Sequence, residues 1–227
     1  SKDRIDPDNH LLGRMNSRRL EAEAIRDATL VASGKFNAKM FGAPVPVRPN
    51  EEGLIVVGVD TNDGAGRPTG KFVALNGEEF RRSVYIQVRR SKPLGMLETF
   101  DLPRMEPNCE ARKASTVATQ SLAMMNGEFT LAQSKFFAER LVSEAGSDIA
   151  AQVRRAWLLA FGRVPSEADV ISSAAFIARQ TEIFHANPAK PPTASPGKEQ
   201  PPADTPTQAL ATFCQALLTS NQFLYVD

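Results

Sequence analysis

Apolar residues recur every three to four positions over most of the second half of the chain and over one stretch near its start. That spacing predicts a mainly α protein built as a helical bundle. Leu20, Ala24, Ala28 and Val31 mark a first helix from Asn16 to Ser33, with Asn16 or Ser17 as its cap and Gly34 as its stop. Within it Arg19 and Glu23 stand four apart, the spacing of a pair across a solvated face. Later helices are expected over 116–125 with Ser115 as cap, over 130–144 burying Phe136, Phe137 and Leu141, and over 148–161 carrying Val153, Ala156, Trp157 and Ala160. Gly146 and Gly162 end the last two, and Ser166 with Asp169 opens a further helix reaching about His185.

Between the first helix and the bundle the period changes. The three prolines of FGAPVPVRPN exclude a helix there. The β-branched run Leu54–Val59 and the shorter Lys71–Leu75 then predict a small β-hairpin insertion, 50–76, with a glycine-rich tip. No helix N-terminus follows that tip, so its glycines do not form a phosphate cradle. Residues 80–90 fit both periods: Phe80, Val84 and Val88 repeat every four, whereas Val84, Ile86 and Val88 alternate. Asn76 ahead of Glu78 and Glu79 tips the reading toward helix.

Residues 187–206 hold seven prolines and no aromatic side chain, the composition of a disordered or extended loop. The tail 207–227 reads as one helix that cannot fold alone. Its apolar face must therefore pack back on the bundle across the proline-rich loop, which makes 1–227 one domain.

Composition narrows the function classes. The 227 residues carry 27 basic and 26 acidic side chains, so a formal charge of +1 provides no global field for nucleic acid or an anionic membrane, and any anion site is local. No apolar run is long enough for a transmembrane segment. Cys109 and Cys214 form neither a paired metal motif nor a haem attachment motif, so no cofactor is expected in this fragment. They either close one disulfide outside the cytoplasm or remain buried free thiols, and the second reading is favoured. With only His10 and His185, a multi-histidine metal site is excluded, and the six methionines read as core fillers.

The densest charge is Arg81, Arg82, Arg89, Arg90 and Lys92. Arginine forks clasp sulfate or carboxylate, which makes a sulfated glycan one candidate ligand. Ion pairing with Glu78, Glu79, Glu98 and Asp101 is the favoured alternative. Asp101 and Glu98 have the residue types of a glycosidase acid pair, but beside so many cations they read first as ion-pair partners. No nucleophile elbow accompanies any serine.

Five stretches in order, NHLLGRMNSRRLEAEAIRDATLVASG, EEFRRSVYIQVRRSKPLGMLETFDLP, NCEARKASTVATQSLAMMN, AWLLAFGRVPSEADV and ALATFCQALLTSNQFLYVD, resemble the C-terminal domain of planctomycete cytochrome-linked proteins known as domain of unknown function 1553. The resemblance implies that the chain is the C-terminal part of a larger exported protein, periplasmic or at the cell surface, with haem c in its N-terminal part. It implies as partners the N-terminal cytochrome-like and middle domains of the same chain and a sulfatase-like protein encoded nearby, in polysaccharide degradation. It assigns no catalytic residue. The leading expectation is an accessory or interaction domain. The alternatives are a catalytic domain of a haem-dependent enzyme acting on a carbohydrate, with Arg82, Arg89 and Asp101 lining its pocket, and a sulfated-glycan binding module. The 54–77 stretch and the proline-rich insertion depart from the family pattern.

Overall fold

The computed structural model describes residues 5–13, 15, 17–50, 52–67, 69, 71, 73–103, 115–187 and 204–226. The fold is a helical bundle carrying one small antiparallel hairpin, as the periodicity predicts. Residues 104–114, with Cys109, and 188–203 of the proline-rich loop lie outside the described residues.

Arg18–Arg19 (β1) precede the first helix, Ala22–Ser33 (α1). The helix begins at Ala22 rather than Asn16 because β1 is drawn into antiparallel pairing with the last strand, Tyr225–Val226 (β4). Arg18 faces Val226, Arg19 faces Tyr225, and the Leu20 amide donates to the Leu224 carbonyl at 2.8 Å. Extended backbone at Glu21 then turns the chain into α1, which buries Ala22, Ile25, Leu30 and Ala32. Gly34, at φ +76°, ends the helix as expected. Arg19 is buried and reaches away from the α1 surface, so it is not the partner of Glu23 on a solvated face.

The hairpin pairs Val47–Pro49 (β2) with Ile55–Val57 (β3), Val47 facing Val57 and Pro49 facing Ile55. The expected partner of the Leu54–Val59 run was Lys71–Leu75; the actual partner is the proline-containing stretch before it. Burial decides the matter: Val45 and Val47 are inside, whereas Val73 is exposed. Proline is compatible with this place because Pro49 ends a short strand and the Pro46 carbonyl still accepts from the Gly58 amide. Asn50 closes the turn, its side-chain oxygen accepting from the amides of Glu52 and Leu54.

Residues 80–90 are not the helix toward which Asn76 and the acidic pair after it tipped the reading. Two 3₁₀ turns, Glu78–Phe80 and Ser83–Tyr85, are separated by extended residues that run parallel to an earlier segment, Asn37 beside Arg81 and Val45 beside Ile86. Val84 and Val88, two of the three residues in the fourfold pattern, face solvent. The Tyr85 carbonyl accepts from the Val45 amide at 2.7 Å and the Val45 carbonyl from the Gln87 amide at 2.8 Å, bonds that an α-helix would have kept internal.

The bundle follows: Gly95–Thr99 (α2), Ala118–Asn126 (α3), Glu128–Ala145 (α4), Ile149–Phe161 (α5), Glu167–Ala186 (α6), Thr205–Leu218 (α7) and Asn221–Leu224 (α8). Asp148 caps α5 and the Ser166–Asp169 capping box opens α6. α4 packs on α1 and α5, and α7 packs on α4 and α6. The tail is not one helix: it breaks at Thr219, turns through α8 and ends as β4, with Phe223 and Leu224 buried.

One core cluster joins Ile25, Val47, Leu97, Phe100, Phe137, Leu141, Val153, Trp157, Ile177, Leu210 and Phe213. Met124 belongs to it, but Met15, Met40 and Met125 are exposed and do not fill the core. Arg140 ties α4 to the end of α1, donating to the Val31 and Ala32 carbonyls at 2.9 and 3.0 Å.

Candidate functional site

Three arginines, Arg19, Arg26 and Arg81, are buried, and each organises a different piece of backbone. Arg26 lies within the apolar stripe of α1. Its guanidinium donates to the carbonyls of Glu79 at 2.7 Å and Arg81 at 2.9 Å, and to the Ser83 hydroxyl at 3.3 Å. Burial lowers its pKa to about 10 against the opposing pull of Asp27. Asp27 accepts from the Ser83 amide at 2.7 Å and from its hydroxyl at 2.6 Å, so α1 grips the 79–83 segment with a cation and an anion.

Arg81 passes that grip onward. Its side chain reaches the carbonyls of Lys39, Phe41 and Ala43 and the Glu78 carboxylate, over the ring of Tyr85. Arg19 forms the third centre. It donates to the Ser115 carbonyl and the Asp101 carboxylate, both at 2.6 Å, and to the Phe100 carbonyl at 3.2 Å.

Asp101 is held from several sides. It sits at φ +64°, a conformation that Asp tolerates better than most residues. Its carboxylate also accepts from the Ser115 amide and hydroxyl, each at 2.8 Å, and from Gln120 at 3.4 Å. Ser115 is thereby engaged away from α3, which starts at Ala118 instead of at the expected cap. Burial raises the Asp101 pKa, but the hydrogen bonds from Ser115 and the Arg19 guanidinium outweigh it and hold the carboxyl below the ordinary carboxylate range. A carboxyl so held has no proton to donate near neutral pH.

The stability that this carboxylate contributes is complete above about pH 4, the ordinary range for an unfolded aspartate, and is lost as pH falls through the lower folded value. Glu144, lowered by hydrogen bonds from Arg140 and Arg155, acts with the same sign. Thermal melts between about pH 5 and 2 are expected to show a falling midpoint, and Asp101→Asn is expected to flatten the dependence. An identical acid dependence in that variant would show that Asp101 carries none of it.

The other members of the arginine run go elsewhere. Arg82 is exposed, 3.9 Å from Asp27; Arg89 pairs with Asp60 at 3.5 Å; Arg90 is exposed in the turn at 90–91. Arg82, Arg89 and Asp101 therefore have three different sets of partners, on α1, in the loop after β3 and at β1. Glu98 is exposed. Cys214 is a free thiol buried in α7, its pKa pushed up by burial, while Cys109 lies outside the described residues.

Of the organising residues, Arg19 was assigned by its spacing to a solvated face, and Arg26 was not singled out at all. Arg26 was the readable one, a charge in line with Ala22, Ile25, Thr29 and Leu30. An open cleft of about 770 Å³ beside the β1–β4 pair is lined by Ser17, Arg163, Asn221, Gln222 and Tyr225. Arg163 lies over the ring of Trp157 there. Among the described residues no group of three or more His, Cys, Asp or Glu side chains is placed to hold a metal ion, and no helix is long and apolar enough to cross a membrane.

Against known proteins, a family model described as protein of unknown function (DUF1553) matches residues 1–177. The match ends inside α6. No curated protein and no solved structure matches the chain.

Proposed function

We propose, from the premise that the chain belongs to this DUF1553 family of proteins of unknown function, that it is an accessory domain that docks other domains of a longer, exported, cytochrome-linked protein serving polysaccharide breakdown. The observation that carries the reading is α3. A surface helix ordinarily turns its apolar stripe inward. In α3 the inward positions are Gln120 and Met124, while Leu122 and Met125 are more than half exposed, and Val117, just before the helix, is nearly so. Ala118, Leu122 and Met125 follow the i, i+4, i+7 spacing of one helix face.

That face is mounted firmly. Gln120 donates to the Thr99 carbonyl at 3.1 Å, and Gln215 of α7 donates to the Met125 carbonyl at 2.6 Å. A fixed helix with an outward apolar face suits helix-to-partner contact, because little ordering entropy is lost on binding. The occupant we assign is the cytochrome-like or middle domain of the same protein.

Titration of the 227-residue chain with the cytochrome-bearing remainder is expected to show association with Kd of about 10 μM or tighter. Leu122→Glu with Met125→Glu is expected to weaken it at least about tenfold and leave the melting temperature unchanged. No association at about 100 μM would end this reading.

A further inference from the structure

Residues 39–43 form a rigid, outward-pointing apolar tip, and we propose that it inserts into the interface of an anionic lipid membrane. Phe41 is 74% exposed and Met40 is 61% exposed. Phe41 also adopts φ +63°, a left-handed conformation that a bulky residue takes up only when its surroundings impose it. Gly42, at φ +90°, completes the bend.

What imposes it is Arg81. This side chain, 1% exposed, sits under the tip with Nε 3.3 Å from the Lys39 carbonyl, Nη2 2.5 Å from that of Phe41 and Nη1 3.0 Å from that of Ala43. The Tyr85 hydroxyl accepts from the Phe41 amide at 3.0 Å, and the Asn37 side chain accepts from the Lys39 amide at 3.0 Å. A buried cation is thus given over to the carbonyls of a loop whose own two apolar side chains make no core. A tip that must enter an apolar phase needs this arrangement, because a backbone group unpaired in hydrocarbon is costly.

Charge at the tip selects the kind of surface. In each ion pair around Arg81 the cation stands farther out than the acid: Lys39, at the tip, is 58% exposed over Glu78 at 33%, and Arg82, next in the chain to Arg81, is 57% exposed over Asp27 of α1 at 23%. Apolar side chains flanked by outward lysine and arginine are the pattern of interfacial attachment, in which cations meet anionic headgroups and apolar groups enter the acyl boundary. The chain's net charge of +1 does not oppose this, since the attraction acts within a Debye length.

The test is co-sedimentation of the intact chain with phosphatidylcholine vesicles, with and without phosphatidylserine. The chain is expected to sediment with the phosphatidylserine vesicles and to be released as salt rises. Phe41→Asp is expected to reduce binding at least about tenfold with an unchanged or higher melting temperature, since Asp tolerates positive φ better than Phe. Lys39→Glu with Arg82→Glu is expected to give a similar loss. Failure of the wild type to bind either vesicle, equal binding to both, or full binding by Phe41→Asp would overturn the proposal. So would absence of vesicle binding together with a Phe41→Asp defect in association with the cytochrome-bearing remainder, which would make the tip a protein contact. The outcome is independent of the α3 reading, because Leu122→Glu with Met125→Glu leaves the tip intact.

Discussion

Removal of residues 204–226 is expected to abolish cooperative unfolding. The segment brings Leu210, Phe213, Leu217 and Leu218 into the core, where each is buried. At roughly 1.5–3 kcal/mol per large apolar side chain, their burial amounts to on the order of 6–12 kcal/mol, comparable with the whole net stability of about 5–15 kcal/mol typical of a folded protein. The loss is compounded on both sides, because α7 packs between α4 and α6 and its removal bares their inner faces. β1 also loses its only described strand partner. Calorimetry of the truncated chain should show no sharp transition. Within the full chain, Phe213→Ala should lower stability by about 3–5 kcal/mol. A truncated protein that melts at the same temperature as the intact one would show that α7 is dispensable to the core.

Asp101→Asn is expected to be the most damaging of the single polar substitutions, at about 3–5 kcal/mol, or roughly 10 °C in melting temperature for a chain of this size. Asparagine keeps the shape of the side chain and tolerates positive φ, so the change isolates charge from backbone strain. What it leaves behind is Arg19, whose side chain is 5% exposed and whose Nε has no hydrogen-bond partner even in the native arrangement. Arg19→Met should be milder, because Asp101, at 26% exposure, retains the Ser115 amide and hydroxyl and some access to water. The double substitution should cost less than the sum of the two. Equal effects of the two single changes and strict additivity would indicate that the pair acts as two separate surface residues.

The helices over 128–145, 149–161 and 167–186 were legible because apolar spacing coincides with a glycine stop in the first two and with an oxygen-bearing cap in the last two. Asp148 and the Ser166–Asp169 box mark starts to the residue. The first helix was misjudged because nothing local announces that Arg18 and Arg19 pair with a strand at the other end of the chain. The 80–90 segment was misjudged for a related reason. Its apolar spacing points to water, and its conformation answers to carbonyls near residue 40 and to Arg26.

The arginine run showed the same limit. Spacing identified Arg81 as part of a charged cluster but could not separate it from Arg82, although one is buried beneath a loop and the other stands in solvent. Asp101 was visible as an ion-pair partner, yet its cation is Arg19, 82 residues away in sequence, and not one of the neighbouring run. Pairings of that range depend on how α1, α2 and the residues before α3 meet, which no local pattern encodes.

Finally, Arg18 lies opposite Val226 in the β1–β4 ribbon, so the chain enters β1 and leaves β4 at the same end of the pair. Traction applied between these two points loads the ribbon's bonds one after another, as in opening a zip, and does not shear them together. Under such tension this clasp should open at low force while the bundle behind it stays intact.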